Sequence, residues 1–309
     1  MSEDIEKISL AIKQEAHKLG FSLCGICKAE EFSFEKKYMQ EWLKIGSHGS
    51  MQYLENNFEK RTNPTLLLEN AKSIIVVGLN YNTLNNQPEN SPKISKYAYG
   101  NDYHTVIRDK LFSLCETIKT IKSDSVNKIC VDTVPILEKA ASQRAGLGWI
   151  GKHTCLINKK FGSFFFLGEI ISTLELKYDK PINNYCGSCN KCVESCPTGA
   201  ITSPYQLDAR KCISYQTIEN KEQITENLKQ KFDGWVFGCD ICQNACPWNK
   251  KITETTEKEF AIKSEIQNYN AEQWQSITKQ DFKRIFKNSA VNRIKFEHWK
   301  RNIEIKRVI

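Results

Sequence analysis

Cys186-Gly-Ser-Cys189-Asn-Lys-Cys192-Val-Glu-Ser-Cys196-Pro197 and, further on, Cys239-Asp-Ile-Cys242-Gln-Asn-Ala-Cys246-Pro247 decide the architecture of this 309-residue chain. The first run spaces its thiols two, two and three residues apart before a proline, the pattern with which bacterial two-cluster ferredoxins hold iron. Three thiolates within seven residues wrap one [4Fe-4S] cluster, and the fourth, sent away by the proline, ligates the other. The second run is similar, except that Cys212 lies 27 residues before Cys239. Crossed pairing assigns Cys186, Cys189, Cys192 and Cys246 to one cluster, and Cys196, Cys212, Cys239 and Cys242 to the other. The displacement of Cys212 marks an insertion with a purpose of its own. Zinc sites favour Cys-x2-Cys pairs separated by a longer loop, and disulfides need an oxidising compartment. The tight spacing favours iron over both.

Working outward, a composition of 40% hydrophobic and 26% charged residues is that of a soluble globular protein with core enough for two ordinary domains. No stretch of 18 apolar residues and no basic-then-apolar leader is present, so the expectation is a cytoplasmic protein that does not enter a membrane. Cys24, Cys27, Cys115, Cys130 and Cys155 sit in apolar or β-rich surroundings and read as small core residues. Cys24-Gly-Ile-Cys27 has metal-ligand spacing but no second pair of its own. The net charge of +8 is concentrated, because residues 283–309 hold nine Lys or Arg against two acids. There Arg293, Lys295, Lys300 and Arg301 interleave with Phe296 and Trp299, and Lys306-Arg307 follows. That pattern suits a phosphate backbone and stacked bases, and equally a solvated face of a terminal helix.

The coarse reading is α+β. Ile5, Ile8, Ile12 and Leu19 mark a helix, residues 21–26 a strand, and residues 39–54 a helical unit. Ser73–Tyr81 is a β-branched run of the kind buried on both faces of a sheet. A loop over 82–92 leads to an amphipathic helix carrying Val106, Ile107, Leu111, Leu114, Ile118 and Ile121. Lys128–Asp132 reads as a strand and Pro135 as the first position of a helix ended by Gly146. Strands over 154–158 and 163–171 complete a mixed sheet. The division expected is an α/β domain over 1–178, a ferredoxin-like domain with two [4Fe-4S] clusters over 179–250, and a basic helical segment over 251–309.

Gly146-x-Gly148-x-x-Gly151 follows a helix and precedes a strand, the reverse of a dinucleotide-binding loop, so no nicotinamide or flavin fingerprint is present. Asp132, at a strand end before a helix, stands where open sheets place ligands. Partial desolvation there raises a carboxyl pKa and lets it deliver a proton; a plain helix cap is the other use of such an Asp. Arg61, in Glu59-Lys60-Arg61, is a suitable clamp for phosphate or amide oxygens, or the partner of a surface acid. Lys152 and His153 follow Gly151 and face either an anionic cofactor or water.

Glu59-Lys60-Arg61 ahead of Leu66-Leu-Leu68 and Ala71-Lys-Ser73, Tyr99-Gly-Asn-Asp-Tyr-His104, Val131-Asp132-Thr133, Gln143-Arg-Ala-Gly146, Gly151-Lys152 and the two cysteine runs together resemble the epoxyqueuosine reductases. These are the cobalamin-dependent iron–sulfur enzymes of tRNA queuosine synthesis. The resemblance spans nearly the whole chain. It implies an α/β cobalamin-binding domain, two clusters that reduce the cobalt, and removal of the epoxide oxygen from the modified base at the tRNA wobble position. It implies Asp132 as proton donor, and Arg61, Ser95, Asp132, Lys152, Leu156, Leu167, Ser214, Asp240 and Ile241 as cobalamin contacts. It also implies the eight cysteines in the crossed pairing, a ferredoxin or flavodoxin electron donor, a monomer, and a short form without C-terminal helical repeats. Two other readings stand beside it, a reductive dehalogenase-like enzyme and a plain ferredoxin-type carrier. A tRNA requirement for turnover separates the first from both.

Overall fold

A computed structural model describes residues 2–305 of the chain. Its centre is a four-stranded sheet in the order Leu23–Lys28, Ser73–Asn80, Phe165–Ser172, Asn127–Cys130. Ser73–Asn80 is buried along its whole length, as its unbroken apolar run predicts. Ile75, Val77 and Leu79 face the helices Ser2–Lys18 and Tyr103–Ile121, meeting Ile12, Ile107, Leu111 and Ile118. Ile74 and Val76 face the other way, against Ala140 and Ala141 of the helix Glu138–Arg144. Every pairing in this sheet is antiparallel, which corrects the expected mixed sheet. Continuous apolarity reports that both faces are covered and carries no information on strand direction.

Two further boundaries move. The segment 154–158 does not join the sheet; Leu156–Ile157 pairs with Trp149–Ile150 in a separate ladder. The helix after Asp132 starts at Glu138 instead of Pro135, leaving 131–137 as an irregular turn. Gly25 lets that helix end settle closely on the sheet, because a Cβ there would meet the Ala145 carbonyl oxygen at 2.1 Å. Close approach of backbone is the use of such a glycine. Cys24 and Cys27 flank it, and burial pushes both thiols up to about 12, as for core residues with no thiolate chemistry.

The cysteine-rich segment folds around two one-turn helices, Lys191–Glu194 and Ile241–Asn244, packed on each other. The residues between Cys212 and Cys239 form the helix Ile213–Ile218 and the strand Trp235–Phe237, which pairs in parallel with Lys93–Ile94. This is what the insertion does: it stitches the cluster lobe to the N-terminal half. The C-terminal helices Ala271–Ser276, Lys279–Ile285 and Phe296–Ile303 then pack Trp274, Phe282, Phe286 and Trp299 against Ile94, Tyr99, Val236 and Phe237. Two of these helices begin with reciprocal caps, Asn270 with Gln273 and Thr278 with Asp281. No helix among the described residues is long and apolar enough to cross a membrane.

Candidate active site and cluster lobe

Asp132 follows the edge strand and has a positive φ of 49°. For a residue with a side chain this left-handed region is sparsely used, Asp and Asn tolerating it best. The Asp132 N–H donates to Glu138 Oε1 at 2.6 Å, which fixes the turn from beneath. From above, Asp132 Oδ2 meets His104 Nε2 at 2.9 Å, and His104 Nδ1 meets Asp102 Oδ1 at 2.7 Å. Asp102 is placed by its own task, capping the helix Tyr103–Ile121 by accepting the His104 N–H.

An imidazole with a carboxylate at each nitrogen donates from both and is therefore the imidazolium. Burial opposes the charge on His104, yet the hydrogen bonds to Asp102 and Asp132 outweigh it and lift the ring to about 9. The His104 hydrogen bond holds Asp102 below the usual carboxylate range. For Asp132, burial acts to raise the pKa, but the His104 hydrogen bond and charge, with Arg293 nearby, bring it below its ordinary value. The expectation of a raised Asp132 is thus corrected: the neighbouring cation wins over desolvation, and the proton resides on His104.

This triad opens into a cavity of about 960 Å³, at the large end of ligand pockets. Tyr53, Tyr97, Tyr103, Glu219 and Arg293 share its lining. Tyr103 stacks on His104 with ring centroids 4.1 Å apart and on Phe166 at 4.2 Å, which fixes the imidazole plane. Arg293 donates to Glu219 Oε1 at 2.7 Å and lies over the Tyr53 ring. Glu219 comes from the insertion after Cys212, so the insertion also builds the cavity wall. Arg61 donates from Nη2 to the Tyr53 carbonyl at 3.2 Å, while its buried Nε has no partner among the described residues. Asp132 and Glu138 are close enough to Arg61 to act on its charge.

In the cluster lobe, Cys186, Cys189, Cys192 and Cys246 line one cavity of about 250 Å³ together with Lys152, His153, Tyr185 and Trp248. The first cysteine run thus meets the last cysteine of the second. Cys196, Cys212 and Cys239 lie within electrostatic range of one another, as do Cys212, Cys239 and Cys242. Cys196 Sγ accepts the Ala200 N–H at 3.3 Å. Burial opposes its ionisation, but such bonds leave it below the ordinary thiol range.

The remaining candidates do not line the Asp132 cavity. Ser95 donates to Asp240 Oδ1, whose Oδ2 accepts the Lys96 N–H at 2.8 Å, so these two buried residues satisfy each other. Lys152 is buried, its ammonium donating to the Gly187 carbonyl at 2.8 Å and to Asn190 Oδ1, so it braces the first cysteine loop. His153 is buried beside Cys155, whose N–H it accepts. Leu156 and Leu167 pack in the core beneath the sheet, Ile241 packs against Ile213, Phe232 and Trp235, and Ser214 lies in the helix after Cys212.

Comparison with known proteins decides the family. The family model described as "Epoxyqueuosine reductase QueG, DUF1730" matches residues 61–133, and that described as "4Fe-4S double cluster binding domain" matches residues 185–249. The epoxyqueuosine reductase of Cellulophaga algicola is 46% identical over 299 residues, covering 97% of this chain and 98% of that one. The chain belongs to the epoxyqueuosine reductase family. An epoxyqueuosine reductase solved with a tRNA-Tyr epoxyqueuosine-modified stem loop has a TM-score of 0.87 at 30% identity, covering 97% of this chain and 80% of that one. The Bacillus subtilis epoxyqueuosine reductase, solved with its aspartate catalytic loop swung out of the active site, has a TM-score of 0.86 at 28% identity and the same coverage.

For this epoxyqueuosine reductase family member, sequence reasoning quoted Asp102 and His104 within a motif but gave them no role, though their Asp-x-His spacing at a helix start was the available signal. Within the basic segment, some of the cations and aromatics read as suited to RNA serve the fold. Arg301 donates to the carbonyls of Gln216, Asn220 and Glu222, Lys300 to that of Gln275, and Trp299 is fully buried. These cations hold the fold together, and the aromatic is core. Lys283, Lys287 and Lys295 are exposed and form no ion pair among the described residues. Lys306 and Arg307 lie outside the described residues.

Proposed function

We propose that this chain reduces epoxyqueuosine to queuosine at the wobble position of tRNA, with His104 and Asp132 handling the proton. The observation that carries the reading is the imidazolium bridged between Asp102 and Asp132 at the mouth of the large cavity. Opening the epoxide and forming the alkene consumes two electrons and two protons and releases one water. A protonated His104 hydrogen-bonded to an ionised Asp132 is a loaded donor: the ring proton moves onto Asp132 as Asp132 delivers a proton to the departing oxygen, and the second proton follows the same route once His104 is reprotonated from solvent. The aspartate catalytic loop of the Bacillus subtilis relative supports Asp132 in this role.

The two cysteine quartets would hold [4Fe-4S] clusters, which would supply one-electron chemistry fed by a ferredoxin or flavodoxin donor. The surroundings of Asp132 fit a large polar cofactor, since the cavity is wide and, beside it, the buried Arg61 Nε has no partner among the described residues. Cobalamin bound there supplies the low-potential two-electron reductant. Arg61 gives it a hydrogen-bond donor, and Tyr97 and Tyr103 exclude water from that wall. The target base must leave its stack to reach Asp132, at a cost of a few kcal/mol that is least in a single-stranded loop. The relative bound to a modified stem loop supports that substrate. The units 1–178, 179–250 and 251–309 would then be the cofactor, cluster and RNA-facing parts.

The test is single-turnover reduction of an epoxyqueuosine stem loop by Asp132→Asn. The variant is expected to bind the stem loop normally and fail to turn over. Turnover at the wild-type rate would remove Asp132 from the reaction.

A further inference from the structure

Beneath the Asp132 turn lies an acid that the reaction above does not use. Glu169 stands inside the central strand Phe165–Ser172, opposite Val76 on one neighbour and Cys130 on the other, and is fully buried. Its strand is otherwise apolar or small at this level, where an unpartnered charge is strongly disfavoured. Neither carboxyl oxygen finds an N–H or O–H donor among the described residues. Its electrostatic neighbours are themselves acids, Glu138 and Asp132. Glu138 reaches in from the first turn of its helix and contacts Glu169 through the side chain. The same Glu138 accepts the N–H of Asp132.

Two carboxyls in contact, Glu169 sealed from water and Glu138 half-buried, are not both readily ionised, so the pair retains a proton on Glu169. Burial and the neighbouring acids set its direction: Glu138 rises to about 7 and Glu169 well above its usual range. A protonated Glu169 meets Glu138 as its side-chain acceptor among the described residues, and Glu138 in turn accepts the Asp132 N–H.

We propose that Glu169 and Glu138 form a proton-sharing latch that holds the catalytic turn, Glu169 donating to Glu138 and Glu138 accepting the Asp132 N–H. The left-handed backbone at Asp132 is disfavoured on its own, and the latch is what keeps the carboxylate aimed at His104. Both glutamates are positioning residues, since neither lines the cavity that receives substrate. The inference rests on Asp132 acting in the reaction, as proposed above.

The test uses the full-length, cluster-reconstituted protein in four variants. Glu138→Gln and Glu169→Gln keep the hydrogen bonds, because an amide accepts through its oxygen and donates through its nitrogen. Glu138→Ala and Glu169→Leu remove them. Expected is a fall in kcat of about 10- to 100-fold in the Ala and Leu variants, the scale for a displaced catalytic group. Their KM for an epoxyqueuosine stem loop stays within about twofold, and the Gln variants stay within about threefold of wild-type kcat, as a positioning role requires. Amide hydrogen exchange of the 131–137 segment reads the latch directly: faster in Ala and Leu, native in both Gln variants. Native exchange in Glu138→Ala, or Gln variants as impaired as Ala and Leu, overturns the proposal. Faster exchange with unchanged kcat upholds the latch and removes Asp132 from the reaction. Melting temperature and iron content, native in the Gln variants, separate either result from misfolding.

Discussion

Replacing His104 by Gln removes the one cation bridging Asp102 and Asp132 while keeping a side chain that hydrogen-bonds. With the ring at about 9, roughly 99 of 100 molecules carry the proton at pH 7, one tenfold step per pH unit. The donor is loaded before substrate arrives, and a loss of about 10²- to 10⁴-fold in kcat is the scale for removing a positioned acid. The assay is single-turnover reduction of an epoxyqueuosine stem loop from pH 6 to 10. Wild type loses rate as pH rises through about 9, whereas the variant shows no limb there. The same proton stabilises the fold. Because the folded-state value lies above the unfolded one, the contribution is complete below about 6.5 and is lost as pH rises through about 9. Its size is about 2 kcal/mol once solvent screening of a partly exposed ring is discounted. A variant within threefold of wild type, or one that keeps the alkaline limb, refutes the assignment of the proton to His104.

Other outcomes follow from the same geometry. Arg301→Ala strands three backbone carbonyls and should lower unfolding free energy by about 2 kcal/mol in urea titrations. Its effect on RNA affinity then tracks lost folding. Lys283, Lys287 and Lys295 changed together to Ala should instead leave the melting temperature unchanged and reduce the salt slope of stem-loop binding; an unreduced slope returns this face to bulk solvent. Cys212→Ala should take iron from about eight to about four per chain, since only one quartet loses a ligand. Complete iron loss would show that the two sites assemble as one.

The proline after each run acts locally, and Cys186, Cys189, Cys192 and Cys246 line one cavity, which agrees with the crossed pairing read from the spacing. The buried strand Ser73–Asn80 was equally plain from its β-branched residues. Strand direction was not, since apolarity on two faces is indifferent to it. Asp132 was found from its place at a strand end, yet its protonation was misjudged because the deciding cation, His104, comes from another element 28 residues away. Arg301 misled for a related reason. A cation that caps carbonyls and one that faces phosphate look alike in a sequence, and only the chain trace of 216–222 tells them apart. Glu169 left no trace at all: one acid in an apolar strand reads as an outward-facing residue until both faces are seen to be covered.

The most direct test of the account is mass spectrometry of nucleosides from epoxyqueuosine-containing tRNA after anaerobic turnover by the reconstituted protein, with Asp132→Asn in parallel. The account predicts loss of one oxygen from the wobble nucleoside with the wild-type chain and an intact epoxide with the variant. An intact epoxide from the wild-type chain, with about eight irons and cobalamin bound, would contradict it.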